Sequence, residues 1–84
     1  MNTSIKDHLA VTEYTRLYLQ GAKWWEMAYS PNTSTKKRAV YINRAKYLDS
    51  LAIEQIAHKP DSVQNRAFNE YNAHYQALQR AKRV

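Results

Sequence analysis

Apolar residues recur at three- and four-residue steps along most of this chain, and two prolines cut the pattern into three stretches of similar length. In the first stretch Ala10, Tyr14, Leu17, Tyr18, Gly21, Trp25 and Ala28 mark one helical face. Val11, Trp24 and Tyr29 widen it, and Glu13, Arg16, Gln20 and Lys23 lie opposite. Ser4 followed three residues later by Asp7 resembles a capping box with a short acid, so the pattern predicts a helix over 4–29. Gly21 sits within the apolar stripe, where it costs about 1 kcal/mol against alanine. That placement predicts close approach of a second helix, or a bend.

Pro31 disfavours helical geometry at Ser30, and Ser30 through Ser34 is a run of turn formers. A second helix is predicted over 34–58, with Tyr41, Ala45, Leu48, Ala52 and Ile56 as its central stripe and Ile42, Leu51 and Ile53 on the shoulders. His58 and Lys59 favour a C-terminus, and Pro60 ends the helix. Asp61 with Gln64 signals the next start. The third helix, over 61–82, carries Val63, Ala67, Phe68, Tyr71, His74, Tyr75, Leu78 and Ala81 on one side. No segment alternates with period two, so no strand is expected. Three amphipathic helices on short loops make a single all-α domain over 1–84, an antiparallel three-helix bundle. Its expected buried residues are Tyr14, Leu17, Trp25, Leu48, Ala52, Ile56, Phe68, Tyr71 and Leu78.

Composition narrows the function. With no cysteine, disulfides and thiolate metal sites are excluded, and the domain must rely on helix packing or self-association. The first residues lack the apolar stretch of a signal peptide, and the longest apolar run, Ala39 to Ile42, is far too short for a membrane span. A cytoplasmic, membrane-free protein is the expectation. The patterns beginning at Asn2 and Asn32 match glycosylation acceptors, but read better as turn and cap chemistry. Neither a cofactor nor a metal is called for. There is no glycine-rich phosphate loop, and no Gly-x-Ser-x-Gly turn. His8, His58 and His74 fall in different segments. Glu70 and His74 stand one turn apart, which suits half an active site and equally an ordinary helix-surface pair. The sequence points away from an enzyme.

The net charge of +6 is unevenly placed. Residues 1–30 balance, whereas residues 31–59 carry six cations against Asp49 and Glu54. Such a balance favours an anionic partner. Lys36, Lys37 and Arg38 fall at the start of the second helix, where the helix dipole prefers acids. Arg80, Lys82 and Arg83 at the end of the third helix are explained by the dipole alone; the first cluster is not. A phosphate or carboxylate bound there would relieve the repulsion, with Thr33, Ser34 and Thr35 adding hydroxyls. The bland alternative is a solvated charge run.

At about 100° per residue, Lys36, Lys37, Val40, Asn43, Arg44 and Tyr47 share one strip of the second helix, opposite its core side. Lysine and arginine suit phosphates, while Asn43 and Tyr47 could reach a base edge or stack on it. The same strip could dock on an acidic protein surface with Val40 and Tyr47 as anchors, or those two could merely broaden the core. The expected binding set is therefore Lys36, Lys37, Arg38, Val40, Asn43, Arg44 and Tyr47. It implies a non-enzymatic module acting on nucleic acid or a nucleic-acid-handling complex. The rival is an adaptor or inhibitor whose basic face meets an acidic protein surface; the short basic chain, rich in Tyr and Asn, is similar in general composition to small accessory proteins of phages and mobile elements. Leu9, Leu19 and Met27 lie off the main stripe of the first helix and would permit a homodimer or a partner contact. Trp24 and Trp25 cannot both face the core centre, so one is expected at its margin with its indole N–H bonded.

Overall fold

The computed structural model describes residues 4–82. Asn2 and Thr3 of the first glycosylation-like pattern, and Arg83 of the last basic cluster, lie outside the described residues. The fold is all-α, a three-helix bundle of α1 (Ile5–Ala28), α2 (Thr35–Ile56) and α3 (Asp61–Lys82). Ser4 caps α1 by accepting the Asp7 amide on its hydroxyl at 3.0 Å, and Ser34 caps α2 by accepting the Lys37 amide at 3.2 Å. No helix among the described residues is long and apolar enough to cross a membrane.

Contacts at the two ends fix the directions. At one end Lys59 pairs with Asp7 at 2.9 Å, and Arg66 meets His8 Nδ1 at 2.8 Å. At the other, Arg38 reaches Ala28 and Lys82 reaches Glu26. Thus α2 runs antiparallel to α1, and α3 returns parallel to α1.

The two seams differ because their side chains differ. Between α1 and α2 most buried positions are small, Gly21 and Ala28 on one side and Ala45 and Ala52 on the other, with Ile56 the larger exception. A Cβ built on Gly21 would overlap the Asp49 carboxylate and stand 3.5 Å from the Ala45 carbonyl oxygen. Close approach of a second helix therefore explains this glycine, and no bend is needed. Between α1 and α3 the spacers are rings. Tyr14 meets Phe68, Tyr71 and Tyr18 with centroids 5.8, 6.5 and 5.1 Å apart. Val63 and Ala67 bring only the first half of α3 into the core, beside Val11, Tyr14, Leu17, Ala52 and Ile56. Little of α3 touches α2. The molecule is a slab of 50 × 30 × 16 Å with a radius of gyration of 14.6 Å, against about 12 Å for a compact chain of this length.

This geometry corrects the expected core. Tyr14, Leu17, Ala52 and Ile56 are buried, but Trp25, Leu48 and Tyr71 are only half-buried. Phe68 and Leu78 are exposed, at 43% and 44% of their surface. The periodic face of α3 is wider than the seam it fills, because no second helix covers its outer shoulder.

Candidate nucleic-acid or partner interface

The strip expected on α2 is exposed, but its second half flanks the α1 seam instead of lying opposite the core side. Lys36, Lys37, Val40, Asn43, Arg44 and Tyr47 are all exposed, Tyr47 to 65%. Three of them border a shallow concavity of about 470 Å³ between α1 and α2. Asn43, Arg44 and Tyr47, with Leu48, form its α2 side; Gln20 and Trp24 form its α1 side. The Arg44 guanidinium carbon lies 4.9 Å from the Trp24 ring centroid, a cation–π contact. Trp24 in turn leans on Tyr41, with centroids 5.4 Å apart. Arg44 is thus held by a ring while keeping its outer edge in solvent.

Gln20 and Trp24 escaped the sequence reading. Gln20 was placed on the polar face of α1, and Trp24 at the edge of the apolar stripe. One signal could have found them: the two residues are one turn apart, so an amide and an indole share a helix edge.

Arg38 does not belong to this surface. Its Nε donates to the Ala28 carbonyl at 2.7 Å, and its Nη2 to that of Thr33 at 3.3 Å. The last turn of α1 has no basic residue of its own. Antiparallel packing brings the start of α2 beside that terminus, so Arg38 supplies the cation the α1 dipole favours. The local reason for part of the basic cluster is therefore structural. The hydroxyl cradle imagined at the α2 start is also partly engaged. Thr33 Oγ1 donates to the Met27 carbonyl at 2.6 Å, and Ser34 Oγ accepts the Lys37 amide. Lys36 and Lys37 remain as exposed cations on the strip.

The other expectations are met unevenly. Trp25 donates its indole N–H to Asp49 Oδ2 at 2.9 Å, while Trp24 faces the concavity. Leu9 and Met27 are exposed, but Leu19 is half-buried, so the off-stripe residues of α1 do not form one uniform patch. His74 is exposed and Glu70 half-buried on α3. Among the described residues no three metal-ligating side chains gather at one point. Compared with protein-family models, curated proteins and solved structures, the chain matches none.

Proposed function

We propose that this protein is a non-enzymatic binding module that engages nucleic acid, directly or within a nucleic-acid-handling complex, through the exposed strip of α2. The observation that carries the reading is the α1–α2 concavity, which joins Asn43, Arg44 and Tyr47 to Gln20 and Trp24, with exposed Lys36 and Lys37 about two turns earlier on α2. Two amides supply donors and acceptors for a base edge, and the exposed Tyr47 ring offers a face for stacking. From Lys37 to Arg44 the helix rises about 10 Å, the span of a few nucleotides at roughly 3.4 Å each. A strand could therefore meet both cations, with one base in the concavity that Arg44 borders.

A second reading has its own support. Val40 and Tyr47 are exposed on the same strip and could anchor an acidic protein surface, as in an adaptor or inhibitor. Cation and anchor substitutions alone do not separate the two, and salt weakens both, but binding to isolated oligomers and nuclease resistance do separate them. Affinity for a generic DNA or RNA oligomer is expected to fall steeply with salt. Each lost phosphate contact should flatten the log–log slope by about 0.7–0.9. Lys37→Glu with Arg44→Glu should abolish binding with the helical signal intact, whereas Arg80→Ala should matter less. Tyr47→Ala should weaken single-strand binding by about 1–3 kcal/mol. Absence of binding at low salt defeats direct nucleic-acid recognition. Loss of a nuclease-resistant protein complex in the same variants would then favour the acidic-surface reading.

A further inference from the structure

A second cleft has the opposite chemistry. Where α3 parts from α2, a cavity of about 300 Å³ opens over α1, bordered by Tyr18, Trp25, Tyr71, Tyr75, Glu26 and Asp49. The rings of Tyr18, Tyr71 and Tyr75 form a continuous stack, with centroid steps of 4.8 and 5.8 Å. Trp25 and Asp49 close the side toward α2, joined by the indole–carboxylate bond at 2.9 Å. In a chain with a net charge of +6, this recess holds two carboxylates among four aromatic rings.

Asp49 is the unusual member. Its Oδ2 has the Trp25 indole, but its Oδ1 is shut from solvent without a hydrogen-bond partner. That oxygen occupies the notch Gly21 leaves in α1. An ionised carboxylate can accept about four hydrogen bonds, and burying it half-satisfied is costly. Among the described residues no lysine or arginine bridges it, although the chain has thirteen. The cleft mouth, by contrast, already holds an ammonium: Lys82 Nζ donates to Glu26 at 2.6 and 3.0 Å. Burial, then the neighbouring tyrosines, then the Asp49 and Glu26 charges push the Tyr71 phenol above its ordinary range. The negative field thus reaches the ring wall.

We propose that this cleft is a binding site for an organic cation, a guanidinium of the arginine type. A guanidinium is flat and weakly hydrated, stacks on aromatic faces, and pairs with a carboxylate through parallel N–H donors. It lies against the tyrosine stack, with Glu26 at its edge in place of Lys82 and the Asp49 charge on the side toward α2, acting through space because its Oδ1 is sealed against Gly21. The site is independent of the α2 strip.

The test follows the Trp25 indole N–H resonance, which reports directly on Asp49, while the full chain is titrated with N-acetyl-arginine amide. The expected result is a saturable shift of that resonance. The neutral citrulline counterpart should bind about tenfold more weakly or worse. Asp49→Asn keeps an acceptor for the indole, and Glu26→Gln lies at the exposed mouth; each should weaken arginine binding while the helical signal persists. Lys37→Glu with Arg44→Glu should leave it unchanged, which separates this site from the nucleic-acid reading. Agmatine binding as tightly as an arginine-bearing peptide assigns the site to a free guanidinium, and tighter binding of the peptide assigns it to a side chain of a partner protein. An equal response to citrulline, no saturable shift, or indifference to both carboxylate changes overturns the proposal.

Discussion

Gly21 and Asp49 show how one residue's role depends on another far along the chain. Alanine at position 21 would gain about 1 kcal/mol of helix propensity. Its methyl would also overlap Asp49 Oδ1 and push the carboxylate off the Trp25 indole. A hydrogen bond to a charged group contributes about 1.5–3 kcal/mol, so Gly21→Ala should lower stability by about 1 kcal/mol net. In an Asp49→Ala background the obstacle is gone, and the same substitution should raise stability by about 1 kcal/mol. Urea titration of the four proteins reads this sign reversal; a Gly21→Ala effect of equal sign in both backgrounds rejects the contact as its cause. The glycine's position in an apolar stripe announced a close approach. Asp49 could not be foreseen, because it read only as an acid in a basic segment. Tyr14 gives a second test at this scale. Burial, and then the charges of its neighbours, raise its phenol well above the ordinary value. Between pH of about 10 and that raised value, the native state keeps a proton the unfolded chain has lost. Stability from this group is therefore full below about pH 10 and falls as pH rises further. Helicity followed with tyrosinate absorbance should show alkaline unfolding, and Tyr14→Phe should make the fall shallower. An unchanged profile in Tyr14→Phe assigns the transition elsewhere.

The first two helices were legible because three signals agreed on each: period, cap and breaker; α3 rests on period and on Pro60, with Asp61 inside its first turn. Ser4 and Ser34 cap where they were expected to, and Pro31 and Pro60 lie in the breaks between helices. What local sequence does not hold is which helix end lies beside which. The basic start of α2 looked unfavourable against its own dipole, yet Arg38 serves the carboxyl end of α1. Lys37, one residue earlier, is exposed. Arg38→Ala should therefore cost about 1 kcal/mol of stability and, under the proposed function, leave salt-dependent nucleic-acid affinity nearly unchanged. Lys37→Glu should do the reverse, reducing affinity with little loss of stability. Thermal melts beside a binding titration separate the two. If Arg38→Ala weakened binding without shifting the melt, its capping role would be wrong and the arginine would return to the binding set. The rest of the α2 strip was readable from helical spacing alone. The concavity it borders was not, since half of its wall comes from Gln20 and Trp24 on another helix.

At the scale of the whole molecule, the open slab follows from where small and large residues fall. Gly21, Ala28, Ala45 and Ala52 draw α2 down onto α1, while the tyrosines of the other seam hold α3 at a ring's distance. Both clefts are consequences: one lies along the α1–α2 edge, and the other opens where α3 leaves α2. Periodicity could not reveal this. It marks a helix face as apolar without saying how much of that face a neighbour covers, so Phe68 and Leu78 read as core and stand exposed. The energetic consequence is an uneven stability along α3. Ile56 is 3% exposed at the end where all three helices converge, and Ile56→Ala should cost about 2–5 kcal/mol. Leu78 lies in the second half of α3 with 44% of its surface exposed. Leu78→Ala removes far less buried surface than Ile56→Ala and gains slightly in helix propensity, so its cost should stay below about 1 kcal/mol. Amide exchange should show the same gradient, with protection in α3 falling from Val63 and Ala67 toward Arg80. A Leu78→Ala loss comparable to that of Ile56→Ala would mean that something covers the outer face of α3 in solution, and uniform protection along α3 would say the same by an independent route.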